Sequence, residues 1–175
     1  MKIAITGHTS GIGKYIFENY PNTVGFSRSN GFDICDENDR KEIVKQSSDC
    51  DVFINNAYNG FGQTFLLLDL FAEWKDTQKS IVNVGTIAAD EEFPFPEYFF
   101  NLIGYRIHKL SLKHLCQDLS KQQFPLNIHY VRFGWTDTET IRNLFPEVNE
   151  KLTVDQAANK ILEPLTNNKL KDHSV

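Results

Sequence analysis

Tyr105 and Lys109 stand four positions apart in the segment GYRIHKLS, near the middle of this 175-residue chain. On an α-helix this spacing places both side chains on the same face, one turn apart. An ammonium group close to a phenol favours the phenolate, so such a pair is suited to moving a proton. The same spacing also arises by chance on any amphipathic helix, and the rest of the sequence has to separate these two interpretations.

The elements that must position this pair alternate between strand and helix from the first residue. Short apolar segments predict strands at Lys2–Thr6, Thr23–Ser27, Phe32–Cys35, Asp51–Ala57, Ser80–Thr86 and Asn127–Phe133. The segments between them predict helices at Gly11–Tyr20, Asp36–Ser47, Thr64–Trp74, Glu97–Gln122 and Thr153–Leu165, the last with Thr153 as its N-cap. This alternation predicts a single domain over residues 1–175, an α/β fold with a doubly wound, Rossmann-like parallel sheet and helices on both faces.

A glycine-rich loop, TGHTSGIGK, follows the first predicted strand. Gly7 permits a tight turn, Gly11 lets the backbone approach a phosphate, and Gly13 lets the helix pack closely on the strand. The N-terminus of the helix then presents free N–H groups to the phosphate. Together with Ser10 and Ile12, these glycines are candidates for binding the pyrophosphate of a dinucleotide. An ordinary βα turn with incidental glycines is the alternative.

The end of the second predicted strand indicates which dinucleotide binds. An acidic residue usually holds the ribose 2′-hydroxyl of NAD(H) at this place. Here the chain has Ser27 and Arg28 in the segment GFSRSN, which contains no carboxylate. A guanidinium is suited to a 2′-phosphate, so NADP(H) is favoured over NAD(H). The alternative is that Arg28 is a solvated surface cation.

These segments together resemble a short-chain dehydrogenase/reductase of the single-domain type. TGHTSGIG resembles that family's TGxxxGIG loop, NNAY (Asn55–Tyr58) its NNAG motif, and IVNVGT (Ile81–Thr86) its strand-five motif. YRIHK (Tyr105–Lys109) resembles its YxxxK motif, and FGWTDT (Phe133–Thr138) its PGxxxT stretch. The motifs come in the family's order and cover most of the chain.

The resemblance implies an enzyme that transfers a hydride between NADP(H) and a small-molecule carbonyl or alcohol. Tyr105 would be the general acid/base, Lys109 would tune it and bind the nicotinamide ribose, and Thr86 would stand for the family's catalytic serine. An unperturbed phenol has a pKa of about 10, so action near neutrality requires the pKa of Tyr105 to fall by roughly 3 units.

The resemblance also assigns residues outside this group. The positions that match the family's further cofactor contacts are Asp33 and Ile34 for adenine, Asn56 and Ala57 for the adenosine side, and Thr138 for the carboxamide. Family members carry another asparagine in an NxxG element that anchors a proton-relay water, and NGFG (Asn59–Gly62) fits that pattern. Asn59 is therefore a catalytic candidate, with a simple turn at Asn59 and Gly60 as the alternative.

The chain also departs from the family's pattern. Thr86 adds a methyl group that crowds the pocket, Phe133 replaces a proline, and Tyr58 replaces the glycine of NNAG. The chain is shorter than is usual, both between NNAY and IVNVGT and at its C-terminus. A non-catalytic NADP(H)-binding or regulatory protein is therefore an alternative. A sugar-nucleotide epimerase or dehydratase is a further alternative, against which the short C-terminal part argues.

His108 is predicted to point away from the catalytic face. Trp135 and Phe95 either line the pocket or pack against it.

Composition limits the partners and the compartment. The net charge is −5 and no basic block is present, so nucleic acid is not expected. The longest apolar runs are far shorter than the ~20 residues of a membrane span. The three cysteines and five histidines fit no metal-ligand spacing, which predicts no metal and reduced thiols in a cytoplasmic protein. The resemblance further suggests a homodimer or homotetramer, built on the helices around Leu66–Trp74 and Glu97–Gln122.

Overall fold

Parallel strands form the sheet of the computed structural model, which describes residues 1–90 and 102–166. The strands are β1 (Ile3–Thr6), β2 (Thr23–Phe26), β3 (Val52–Asn55), β4 (Ser80–Val84) and β5 (Asn127–Val131). They lie in the order β2-β1-β3-β4-β5, so the direction of winding reverses between β1 and β3. Open α/β sheets bind their ligands beyond the carboxyl ends of the strands at such a reversal. The predicted doubly wound, Rossmann-like fold is confirmed.

Helices cover both faces of this sheet. They are α1 (Gly11–Asn19), α2 (Glu37–Gln46), α3 (Gly62–Trp74), α4 (Ile103–Ser120), α5 (Glu139–Leu144) and α6 (Val154–Thr166). Side chains of α2, α3 and α4 share one core cluster, whereas those of α1 and α6 share the other. The part of the predicted long helix before residue 102 lies outside the described residues. Within residues 1–90 and 102–166, no helix combines the length and apolar character that crossing a membrane requires.

The strands are mostly apolar because both faces of the sheet are covered by helices. Phe53 of β3 belongs to the cluster under α2, α3 and α4, and its neighbour Ile54 belongs to the cluster under α1 and α6. Both side chains are fully buried, and such burial contributes about 2 kcal/mol per side chain. This packing holds the carboxyl ends of the strands rigidly beside one another.

The strand predicted at Phe32–Cys35 is wrong, because this segment forms a turn. The N–H of Asp36 donates to the carbonyl of Asp33 at 3.0 Å, and the N–H of Cys35 donates to the Asp33 carboxylate at 2.9 Å. The N–H of Asp33 in turn donates to the carboxylate of Asp39 at 2.9 Å. Aspartate side chains that take up nearby backbone N–H groups compete with strand pairing, and here they prevail over a short apolar run.

Threonine side chains cap the N-termini of α6 and α5. Thr153 caps α6 as predicted, since its N–H donates to the Gln156 side chain at 2.9 Å and the N–H of Gln156 donates to its hydroxyl at 3.3 Å. Thr138 caps α5, a short helix that the sequence analysis did not predict, by accepting from the N–H of Ile141 at 3.3 Å. The second cap fixes Thr138 at the edge of the candidate site.

Candidate active site

A cleft of about 600 Å³ lies at the carboxyl ends of the strands. Residues predicted from separate motifs line it, namely Ile12, Asn56, Thr86, Tyr105, Lys109 and Thr138. Ile12 belongs to the first turn of α1, Thr86 follows β4, and Tyr105 and Lys109 belong to α4. The fold therefore brings three of the four predicted catalytic residues, Thr86, Tyr105 and Lys109, and part of the predicted cofactor site into one cavity.

Tyr105 lies on the same face of α4 as Lys109. The Nζ atom of Lys109 is 5.7 Å from the centre of the Tyr105 ring. Burial raises the pKa of Tyr105, while its interaction with the Thr86 side chain lowers it. The net direction is upward, opposite to the predicted fall, so the described protein groups alone hold the phenol in its protonated form.

Lys109 is a buried ammonium with neutral partners. Its side chain is almost fully enclosed, and its Nζ donates to the Val84 carbonyl at 2.8 Å and to Oε1 of Gln63 at 2.6 Å. Burial lowers the pKa of Lys109 to about 7. Two of the three N–H bonds of an ammonium are used in this way, and the group borders the cleft.

Sequence reasoning missed Gln63. This side chain, in the first turn of α3, is only 2% exposed and belongs to a buried chain of amides. Its Nε2 donates to the carbonyl of Asn55 at 2.7 Å, and Nδ2 of Asn55 donates to Oδ1 of Asn83 at 3.0 Å. The only signal in the sequence is one amide in the apolar run FGQTFLLLDLF.

Asn59 takes the turn alternative rather than the predicted relay position. Its carbonyl accepts from the N–H of Gly62 at 2.8 Å, and the intervening Gly60 has φ +49°. Its Nδ2 donates to the Asp33 carboxylate at 2.9 Å. Asn59 therefore faces the β2 side of the cleft, and the side-chain amide that contacts Lys109 belongs to Gln63 instead.

The glycine loop has the shape of a cradle. Gly7 and Gly11 have φ values of 76° and 51°, which side chains rarely tolerate. A Cβ on Gly13 would lie 2.2 Å from the Gly7 carbonyl oxygen, so helix and loop touch there. Ser10 occupies the N-cap of α1 without a side-chain cap bond, which leaves the first N–H groups of the helix to a ligand.

Asn56 and Ala57 are tied to the end of β1. The hydroxyl of Thr6 accepts from both of their N–H groups at 3.0 Å, and Nδ2 of Asn56 donates to the Thr6 carbonyl at 3.0 Å. These bonds hold the NNAY segment against the glycine loop. Asn56 lines the cleft, as expected of a residue beside the cofactor.

The segment after β2, Ser27–Asn30, is held by hydrogen bonds among its own residues. The N–H of Ser27 donates to the Asn30 side chain at 2.7 Å, and Arg28 between them is exposed. The Cys35 N–H, the Asn59 amide and the Arg28 charge lower the pKa of the Asp33 carboxyl. The charge of Arg28 therefore acts on Asp33 in the segment that follows β2.

Ile34, which is predicted to meet adenine, has a buried side chain. Its side chain is 4% exposed and belongs to the core cluster under α2, α3 and α4, packed against the backbone of Gly62. Its carbonyl accepts from Arg40 at 3.1 Å. A contact between Ile34 and adenine would therefore have to come from the backbone N–H rather than from the side chain.

Tyr58 and His108 form an aromatic wall next to Tyr105. The Tyr58 and Tyr105 rings meet edge to face with centres 4.8 Å apart, and the Tyr58 hydroxyl is 3.0 Å from Nδ1 of His108. Phe61 packs on the other side of His108 at 4.4 Å. His108 lines the cleft, so the prediction that it points away from the catalytic face is wrong.

The opposite wall is mainly apolar. Trp135 lines the cleft and also packs against Phe145 at 4.8 Å, so it takes both of its predicted alternatives. Phe133, the replacement for proline, is buried in the same wall. The buried hydroxyl of Thr136 lines this wall and has no hydrogen-bond partner among the described residues. Phe95 and the rest of Phe93–Phe100 lie outside the described residues.

The chain is similar to known proteins in structure, whereas the comparisons of its sequence find no match. No family model matches the chain. No curated protein matches it either. Solved structures do match. A short chain dehydrogenase from Burkholderia cenocepacia J2315, in complex with NADP, has a TM-score of 0.75 at 17% identity over 98% of this chain and 88% of that one.

Two further structures give the same result. A small-chain dehydrogenase in complex with NADPH has a TM-score of 0.76 at 16% identity, covering 98% of this chain and 94% of that one. The 3-alpha-hydroxysteroid dehydrogenase from Pseudomonas sp. B-0831, complexed with NADH, has a TM-score of 0.71 at 19% identity, covering 98% and 93%. At identities this low, the structural similarity establishes the fold alone, and this fold is the one that these dehydrogenase structures have.

Proposed function

We propose that the protein is a short-chain dehydrogenase/reductase that uses NADP(H) to interconvert a carbonyl and an alcohol. The observation that carries the proposal is the convergence of Thr86, Tyr105 and Lys109 on the cleft that Ile12 and Asn56 also line. Chance YxxxK spacing does not explain why Thr86, which follows β4, and Ile12, which follows the glycine loop, line the same cleft as these two side chains.

The loop and the strand ends fit a dinucleotide. The close packing of Gly13 on the Gly7 carbonyl brings the N-terminus of α1 against the end of β1, as a pyrophosphate-binding loop requires. The residues that would hold the cofactor are Gly7, Ser10, Gly11, Ile12 and Gly13 for pyrophosphate, Ser27, Arg28 and Asp33 for the adenosine end, and Asn56, Ala57, Lys109 and Thr138 for the remainder. When bound, NADP(H) supplies or accepts a hydride at the nicotinamide ring.

The chain's own residues handle the proton. The hydroxyls of Tyr105 and Thr86 donate hydrogen bonds to the substrate oxygen, and Tyr105 passes its proton to that oxygen as the carbonyl is reduced. Burial raises the pKa of Tyr105, which keeps the phenol protonated at neutral pH. A protonated phenol is the form that a general acid requires for carbonyl reduction.

The preference for NADP(H) is supported by Arg28, which follows β2 and is exposed. Its guanidinium has the charge and geometry that suit a 2′-phosphate. The Asp33 carboxylate on this side of the sheet accepts from the Cys35 N–H and the Asn59 amide through Oδ1, both at 2.9 Å.

The cleft walls favour a substrate with an apolar body. Apolar side chains that line the cleft are Ile87, Trp135, Ile141, Leu144 and Phe145. Sites of this kind bind mostly through apolar contact and use a few polar groups for orientation. A ketone or aldehyde with an aliphatic or aromatic substituent fits this description.

A second copy of the chain is supported by exposed apolar side chains on α3 and α4. Phe65 and Leu68 of α3 and Ile103 and Ile107 of α4 are each between 41% and 50% exposed. Exposed apolar stripes on neighbouring helices are typical of subunit contacts. The predicted homodimer would cover them, and size-exclusion chromatography with light scattering distinguishes monomer, dimer and tetramer.

The second candidate function is NADP(H) binding without turnover. Its supporting observation is the Tyr58 ring, which lies against Tyr105 with centres 4.8 Å apart where the related motif has glycine. Bulk at this position narrows the approach to the phenol. In this case the protein would bind the dinucleotide and leave carbonyls unchanged.

Two measurements separate these candidates. NADPH is titrated into the protein while nicotinamide fluorescence is recorded, and a panel of apolar ketones and aldehydes is then screened by NADPH oxidation at pH 7. We expect saturable binding and turnover of at least one carbonyl. No binding up to millimolar NADPH would contradict both candidates, whereas binding without turnover would select the second.

A further inference from the structure

Lys109 is a buried cation whose described partners carry no negative charge. No ion pair among residues 1–90 and 102–166 includes it, and burial is the only cause that shifts its pKa. Its Nζ is held by the Gln63 amide oxygen at 2.6 Å and the Val84 carbonyl at 2.8 Å. A charge removed from water depends on such hydrogen bonds for its stability.

The orientation of the Gln63 amide is set by its surroundings. Its Nε2 donates to the carbonyl of Asn55 at 2.7 Å and to that of Val84 at 3.3 Å. The backbone carbonyl of Gln63 also accepts from Nδ2 of Asn55 at 2.8 Å. Because two acceptors face one end of the amide, rotating it by 180° would break these bonds and set an NH₂ group against an ammonium.

We propose that Gln63 is a positioning residue, whose amide oxygen orients the Lys109 ammonium towards the cleft and stabilises its charged form. Its catalytic consequence rests on the proposed function, whereas the contact itself does not. The contact joins α3 to α4 across 46 positions of sequence. Asn59 was predicted to anchor a relay water, whereas the side-chain amide that contacts Lys109 directly is that of Gln63.

The other titratable groups around Lys109 are neutral phenols and an imidazole. The rings of Tyr58, from the loop after β3, and Tyr105, from α4, each have their centre 5.7 Å from Nζ. Burial raises the pKa of both phenols, so both are uncharged at pH 7. His108 follows next on α4 and bonds to Tyr58. From α3 the facing group is Gln63, and from β4 it is the Val84 carbonyl.

The test is the pKa of Lys109 in two variants of opposite character. Gln63→Glu places a carboxylate where the amide oxygen now lies, and Gln63→Met keeps the length of the side chain but removes the acceptor. The pKa is measured on the intact chain by ¹³C NMR of labelled lysine ε-carbons, with the Lys109 signal assigned by its loss in Lys109→Met. Gln122→Glu, on an exposed residue after α4, is the matched control.

We expect Gln63→Glu to raise the pKa of Lys109 by at least about 1 unit, Gln63→Met to lower it, and Gln122→Glu to leave it unchanged. Shifts in the same direction in both Gln63 variants, or no shift in either, would overturn the proposal. If Gln63→Met does not fold, the shift in the isosteric Gln63→Glu decides the outcome, since a role in packing alone predicts no rise.

A kinetic measurement links the contact to catalysis. The pH profile of kcat/KM for NADPH-dependent reduction should move upward in Gln63→Glu by the same number of pH units as the NMR pKa. Opposite NMR shifts in a protein that reduces no carbonyl would support the contact and contradict the proposed function. Turnover of a carbonyl together with an unchanged Lys109 pKa in both Gln63 variants would support the proposed function and contradict the role of Gln63.

Discussion

The two ends of the proposed site are built in different ways. At the proposed catalytic end, formed by Thr86, Tyr105, Lys109 and Gln63, groups meet from distant parts of the chain, and the contact between Gln63 and Lys109 spans 46 positions. At the proposed adenosine end, formed by Ser27–Asn30, the bonds are local and solvent-exposed, and the one from Ser27 to Asn30 spans three positions. The catalytic end is therefore fixed by the whole fold, whereas the adenosine end is fixed by its own turn.

This difference has an energetic consequence. Removing one partner from a buried polar contact leaves the other unsatisfied and costs about 1–3 kcal/mol. Exposed charges lose much less, because water replaces the missing partner. Changes at the catalytic end should therefore affect turnover and stability strongly, and changes at the adenosine end should affect the choice of dinucleotide only moderately.

The largest effect is expected at Tyr105. Tyr105→Phe removes the transferable proton and keeps the ring that packs against Tyr58, so turnover should fall by roughly 10²–10⁴-fold while NADPH affinity stays the same. The variant is compared with wild type by NADPH oxidation and by fluorescence titration. Equal turnover in both proteins would remove the catalytic role from this end of the cleft.

Lys109 should make stability depend on pH. Burial lowers its pKa from an ordinary 10.5 to about 7, so between these values the unfolded chain binds more protons than the folded one. The buried ammonium lowers the free energy of unfolding below pH 7. This destabilisation decreases as the pH rises, by up to about 1.4 kcal/mol per pH unit. Lys109→Met removes it.

Urea unfolding at pH 6.5 and pH 9 measures this dependence. The free energy of unfolding of wild type should increase with pH relative to that of Lys109→Met. The exposed Lys121 provides the control, since Lys121→Met should show the wild-type dependence. Parallel pH profiles for wild type and Lys109→Met would show that the ammonium is not desolvated.

The glycine loop lies between the two ends and should respond with an intermediate effect. In Gly13→Ala the added Cβ meets the Gly7 carbonyl oxygen at 2.2 Å, so the loop has to move away from the phosphate position. We expect the Kd for NADPH to rise at least about tenfold. Asn19→Ala, on the exposed side of α1, should leave the Kd unchanged. Equal affinities would exclude this loop as the pyrophosphate site.

Arg28 should show the smallest effect. Arg28→Ala should weaken NADPH binding by roughly fivefold, which corresponds to the low value of an exposed charge contact, and should leave NADH binding unchanged. Both affinities are measured by fluorescence titration, with Lys121→Ala as the control for a lost surface charge. An unaltered ratio of NADPH to NADH affinity would assign Arg28 to the solvated surface.

The sequence was informative where the determinants are local. The alternation of strand and helix, the glycine loop and the YRIHK spacing each depend on nearby residues, and the fold they predict is confirmed. The prediction of a strand at Phe32–Cys35 was wrong because the carboxylates of Asp33 and Asp39 accept hydrogen bonds from backbone N–H groups there. Composition alone does not reveal these bonds.

Long-range contacts were the part that could not be predicted. Gln63 belongs to none of the motifs found in the sequence. Its position beside Lys109 follows only from the packing of α3 on α4. The orientation of His108 depends in the same way on Tyr58, 50 positions away. Asn59 fitted a spacing pattern, but its amide is bound to Asp33, 26 positions away in the sequence.

Hydride transfer itself is tested most directly with isotopically labelled cofactor. NADPH carrying deuterium at both C4 positions is incubated with the protein and a carbonyl that it reduces, and the alcohol is examined by mass spectrometry. The proposed chemistry predicts one deuterium on the carbinol carbon in wild type and, at a far lower rate, in Tyr105→Phe. Alcohol without deuterium, or consumption of NADPH without alcohol, would contradict it.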